Sequence, residues 1–70
     1  MKALPKDLTR SEWESLICER IIGRNAYRDR EIVKENLLDG RTYEWIAESH
    51  ELSVRQVARI LQSRRKQIYK

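Results

Sequence analysis

Apolar residues return along this chain at the three- and four-residue intervals of a helix, and no stretch sustains the two-residue alternation of a strand. The plainest case is the run TYEWIAESHELSVRQVARILQSRRK at 42–66. Tyr43, Ile46 and Ala47 mark one helical face. Four polar or charged residues follow Ala47, then comes Leu52, and Val57, Ile60 and Leu61 restart the spacing. The pattern predicts two short helices around a tight turn, a helix-turn-helix. Ala47 falls where the two helices must come close, so a small side chain belongs there. Leu52 is expected to point inward from the turn, and Val57 and Ile60 to pack the second helix onto the first.

Local chemistry fixes where the second helix starts. Ser53 stands three residues before Gln56, the S-x-x-Q form of a capping box. The Ser hydroxyl takes the Gln56 amide, and the Gln side chain returns to the Ser amide. Leu52 and Val57 occupy the hydrophobic-staple positions around that cap. Upstream the same signals recur. Thr9 precedes Glu12 by three, with Leu8 and Trp13 at the staple positions. A first helix is therefore expected over 10–22, burying Trp13, Leu16, Ile17 and Ile21 and stopping at Gly23 in a left-handed conformation. Asn25 is read as the cap of a second helix over 26–38, whose face is Tyr27, Val33 and Leu37, broadened by Ile32 and Leu38. Gly40 ends it. Arg28, Asp29, Arg30, Glu31, Lys34 and Glu35 read as a solvated face with weak ion pairs. Thr42 caps a third helix over 43–49.

The expected fold class is thus all-α: a four-helix domain with a C-terminal helix-turn-helix. One domain fills 1–70, with a tail at 1–8 that Pro5 keeps from helix, scaffold helices over 9–40 and the helix-turn-helix at 42–66. A chain of 70 residues buries only a modest core. No apolar run approaches membrane-spanning length, and the N-terminal residues lack a signal-peptide core. Cys18 is the single cysteine. It permits no internal disulfide, points to a cytoplasmic address and reads as a packed or partly exposed thiol.

Charge changes the picture. The net charge is +4, but residues 1–52 carry −2 and residues 53–70 carry +6 with no acid. The basic side chains of that last stretch are Arg55, Arg59, Arg64, Arg65, Lys66 and Lys70. A basic helix on a nearly neutral body is an electrostatic footprint for phosphate. Arginine reads the O6 and N7 edge of guanine, and glutamine can read adenine N6 and N7. Arg55, Gln56 and Arg59 share a side away from the apolar face. Arg64, Arg65 and Lys66 lie later in the helix, where phosphate contact is expected. No constellation for catalysis appears, and no cofactor or metal is expected. The lone His50 reads as a solvated or capping residue, and Trp45 as an edge of the core or a hydrophobic anchor for a partner.

The segment RDREIVKENLLDGRTYEWIAESHELSVRQVARIL at 28–61 resembles the C-terminal, promoter-reading region of bacterial sigma factors, sigma region 4. The likeness rests on Arg28-Asp29-Arg30-Glu31-Ile32, Leu37-Leu38-Asp39-Gly40, Thr42-Tyr43-Glu44, Ile46-Ala47-Glu48 and Leu52-Ser53-Val54-Arg55-Gln56-Val57. It covers about half of the chain, which lacks the other sigma regions and is more like small stand-alone sigma-like regulators of Gram-positive bacteria, prophages and mobile elements. The resemblance implies that the second helix of the pair enters the major groove and that Arg55, Gln56 and Arg59 touch bases. It implies phosphate contact at Thr42 and places Ser53 in the same DNA-facing surface. Where the family has Leu-Gly in the turn, this chain has His50-Glu51. Glu51 must then accept a positive φ or force a different turn. Two functions from different classes follow: a sequence-specific DNA-binding regulator of transcription, or a protein-interaction module that engages RNA polymerase or a sigma factor. Double-stranded DNA is the first partner expected, with RNA polymerase and a second copy of the chain as further candidates.

Overall fold

The computed structural model describes residues 8–68. Apart from Leu8, the expected tail lies outside the described residues. Four helices follow one another: α1 (Arg10–Arg20), α2 (Ala26–Leu37), α3 (Tyr43–His50) and α4 (Val54–Ile68). No strand occurs among the described residues, and none of their helices is long and apolar enough to cross a membrane.

Side-chain caps set three of the four helix starts. At α1, Thr9 Oγ1 accepts the Glu12 amide at 3.2 Å and Glu12 Oε1 accepts the Thr9 amide at 2.9 Å. At α4, Ser53 Oγ accepts the Gln56 amide at 3.1 Å and Gln56 Oε1 accepts the Ser53 amide at 2.9 Å. At α3, Thr42 Oγ1 accepts the Trp45 amide at 3.1 Å. The cap expected at Asn25 does not form. Asn25 sits at φ 63° and makes no side-chain cap bond. Its left-handed backbone, with Gly23 at φ 98°, bends the chain from α1 into α2. Gly23 therefore does not terminate α1. That helix ends at Arg20, where Ile21 turns extended and becomes fully buried.

Ile17, Ile21, Ile32, Val33, Ile46, Ala47, Val57, Leu61 and Ile68 form the core. Trp13, Leu16, Leu37, Leu52 and Ile60 pack around it, partly buried. Of the face expected for α2, Ile32 and Val33 are buried and Leu37 and Leu38 pack on the core, but Tyr27 does not belong to it. The buried stripe of α2 is Asp29, Ile32 and Val33, at i, i+3 and i+4, and Tyr27 is 79% exposed on the opposite side. The polar member of that stripe explains the error, because hydrophobic spacing does not count an aspartate. Asp29 is not solvated. Its Oδ2 accepts Arg64 Nε from α4 at 2.8 Å, and its Oδ1 accepts Arg28 Nε at 3.1 Å. The buried stripe of α4, Val57, Leu61 and Ile68, has Arg64 at the matching position. Each stripe thus carries one charge, and the two charges meet between α2 and α4.

Further polar ties cross the bundle. His50 Nε2 lies 2.9 Å from Glu35 Oε1, both partly buried, so neither is the solvated residue expected from sequence. A carboxylate only accepts, so this ring nitrogen carries the hydrogen. Arg30 Nε donates to Ile21 O at 2.8 Å. Arg10 Nη2 donates to Asp39 Oδ1 at 2.9 Å, and that bond holds the guanidinium above its ordinary pKa.

The turn between α3 and α4 is three residues long, Glu51 to Ser53. Glu51 adopts φ 57° and ψ 45°, the left-handed conformation. The Leu52 amide donates to Ala47 O at 2.8 Å and the Glu51 amide to Glu48 O at 3.3 Å. This is a Schellman closure, with the apolar Leu52 packed on the core beside it. A residue with a Cβ is disfavoured at that φ. Glu51→Gly is therefore expected to raise stability by about 0.5–1 kcal/mol, read as a higher urea midpoint. A lower midpoint would mean that the Glu51 side chain makes a needed interaction.

Candidate nucleic-acid interface

The first turn of α4 is seated on the core by Leu52 and Val57 and exposes the side chains between them. Ser53, Val54, Arg55 and Gln56 are four consecutive exposed residues. Farther along, Arg59, Gln62, Ser63 and Lys66 are exposed. Arg55, Arg59, Gln62 and Lys66 follow spacings of four, three and four, so they form one stripe. It runs opposite Val57, Leu61, Arg64 and Ile68 and is about 16 Å long at the α-helical rise. Arg55, Arg59 and Lys66 make no hydrogen bond or ion pair among the described residues. The stripe is therefore a row of unneutralised cations with glutamine among them.

Arg64 does not belong to it. Its side chain is 12% exposed. Besides Asp29, it donates from Nη1 to Ile22 O at 3.2 Å and to Gln67 Oε1 at 3.0 Å, and from Nη2 to Arg24 O at 3.2 Å. One guanidinium thereby binds α2, α4 and the loop between α1 and α2. This corrects the phosphate role expected for Arg64, because its donors are spent inside the fold. Arg65 is intermediate. Its Nη2 reaches Asn36 Oδ1 at 3.4 Å, and its buried Nε has no partner. It lies on the flank between α2 and α4, off the exposed stripe. Of the three late basic residues, Lys66 alone lies on the outer face.

The capping groups are placed with equal definition. Thr42 is exposed at the start of α3, next to Arg41, whose guanidinium lies 4.4 Å from the centre of the Trp45 ring. The Thr42 and Ser53 oxygens each accept one amide, and each hydroxyl hydrogen is still a donor. Gln56 is a different matter. Its Oε1 accepts the Ser53 amide, which turns the side chain back onto the start of its own helix and leaves one lone pair of Oε1 and both Nε2 hydrogens over. Sequence reasoning passed over Gln62 and Val54. Gln62 was detectable from its three-residue spacing to Arg59. Val54 is 42% exposed, and hydrophobic type alone argued against looking for it on a surface.

The Ser53–Gln56 cap also positions Arg55 and Arg59 by fixing where α4 begins. Ser53→Ala is expected to lower stability by about 1 kcal/mol. Thermal denaturation followed by circular dichroism measures it, and an unchanged midpoint would mean that the cap contributes nothing. Exposed carboxylates lie on the neighbouring helix and turn, at Glu44, Glu48 and Glu51. The basic and acidic surfaces are thus segregated between α4 and α3. Comparison with family models, with curated proteins and with solved structures finds no match for this chain.

Proposed function

We propose that the protein is a DNA-binding regulator of transcription that lays α4 in the major groove, with α3 and α4 as a sigma region 4-like helix-turn-helix. The observation that carries this reading is the exposed, unpaired stripe of Arg55, Arg59 and Lys66, which begins in the first turn of α4. Base-edge contact falls to the first turns of a recognition helix and backbone contact to the rest. Arg55 and Arg59 are the base readers, and Lys66 meets phosphate. Arg65, on the flank, is a secondary phosphate contact through its terminal nitrogens. The Thr42 and Ser53 hydroxyls can donate to phosphate while remaining caps. Glu44, Glu48 and Glu51 repel the backbone and so favour a pose in which the outer face of α3 turns away from the duplex.

Fluorescence anisotropy with random and selected duplexes over a salt series tests this. Two phosphate neutralisations, by Lys66 and Arg65, give a slope of log affinity against log salt of about −2. A slope near zero removes the proposal. Trp45, 41% exposed among those carboxylates, supports a second reading in which α3 engages RNA polymerase or a sigma factor. In that case Trp45→Ala abolishes co-purification with polymerase while DNA affinity is low for every duplex. Sedimentation with and without a duplex tests whether two copies bind together.

A further inference from the structure

Given the DNA-binding reading, we infer that α4 reads guanine and thymine, with Val54 as the thymine contact and Gln56 serving the cap. Three observations meet at the start of this helix. Gln56, the residue whose chemistry suits adenine, has its side-chain oxygen on the Ser53 amide at 2.9 Å. Arg55 and Arg59 have no partner among the described residues, so their forks are available for guanine O6 and N7. Val54, the first residue of α4, is 42% exposed and is neither in the core nor among the side chains packed against it.

An isopropyl group at the tip of a groove-entering helix has one complementary feature on the major-groove edge, the C5 methyl of thymine. The same methyl is absent from cytosine and from both purines. A site read by this turn therefore contains thymine and guanine within a few base pairs of each other. Gln56 acts on specificity indirectly: it holds the first turn in register and leaves the reading to its neighbours.

The test begins with selection of sites from a random duplex library by the full chain. The selected duplex is then rebuilt with deoxyuridine for each thymine, which deletes only the methyl, and with 7-deazaguanine for each guanine, which deletes only N7. We expect one uridine position to weaken binding about fourfold, the effect of one buried methyl. Val54→Ala should bind thymine and uridine duplexes equally, and its exposed position leaves folding intact. One or two 7-deazaguanine positions should weaken binding by about fivefold or more. Gln56→Glu keeps the S-x-x-E form of the box and should select the same bases with a lower overall affinity. A selected site indifferent to uridine, or a Gln56→Glu variant that selects a new base pair, overturns the inference while leaving DNA binding in place. Absence of any enriched site overturns the DNA reading and the inference with it.

Discussion

Arg64→Ala is expected to lower folding stability by about 3–5 kcal/mol, because it leaves the buried Asp29 carboxylate without its main partner. A domain of this length holds roughly 3–10 kcal/mol in total, so the variant should lose a large share of its stability. The same change also frees the Ile22 and Arg24 carbonyls that Arg64 binds. Arg64→Lys restores a charge but not the fork, and should recover only part of the loss. Removing both charges at once, as Asp29→Leu with Arg64→Met, should be far milder than either single change to alanine, since apolar replacement of a buried pair is often neutral. Lys66→Ala, two residues along on the exposed side, should leave the midpoint within about 0.5 kcal/mol. Urea denaturation of the five variants measures all of this. An Arg64→Ala protein with normal stability and weakened DNA binding would return Arg64 to the role that its sequence position suggested.

The second large effect concerns recognition. Arg55→Ala and Arg59→Ala should each reduce the preference for a selected duplex over random DNA by about 10- to 100-fold, since a bidentate base contact discriminates by roughly 1–3 kcal/mol. Lys66→Ala should weaken both duplexes equally and make the salt slope shallower by about one unit. The three changes lie on one exposed stripe, so differences among them report contact type rather than damage to the fold. Titrations of each variant on both duplexes, over a salt series, separate the outcomes. Loss of preference in Lys66→Ala with none in Arg55→Ala would mean that α4 enters the groove by its far end. Unchanged affinity in all three would hand the basic stripe to a protein partner.

Most parts of this fold that depend on neighbours in sequence were legible in the residues, the bend at Gly23 and Asn25 excepted. Thr9 and Ser53 each act on an amide three positions away, so a short string of letters contains the whole interaction. At Glu51 the resemblance left two turns open, and the chain takes the left-handed one despite the Cβ. What was not legible depends on distance. Asp29 and Arg64 are separated by 35 residues. Each read alone as a surface charge, and only the meeting of α2 with α4 converts them into a buried pair. Tyr27 went to the wrong side because the true stripe of α2 has Asp29 in it. His50 and Glu35 escaped for the same reason, being joined across α2 and α3. In the candidate interface, the spacing of Arg55 and Arg59 revealed their shared side. The capping of Gln56 was also visible, but its consequence for base reading came only with the bond that turns the side chain back onto the start of its helix.

The Asp29–Arg64 clamp has a consequence for the order in which the chain matures on the ribosome. Domains tend to fold as they emerge, earlier segments first. Here α2 appears with a carboxylate on its inner face that only the neighbouring Arg28 can meet, through one of its two oxygens. The partner of the other oxygen is translated 35 residues later, and Ile68, which completes the same side of the core, later still. Until then, burying α2 would desolvate a carboxylate whose Oδ2 has no donor. The nascent helices must therefore wait, loosely associated, and tertiary closure becomes a single late event rather than a stepwise one. Ribosome-stalled chains ending before Arg64 should be protease-sensitive throughout, and those with Ile68 clear of the tunnel should be resistant.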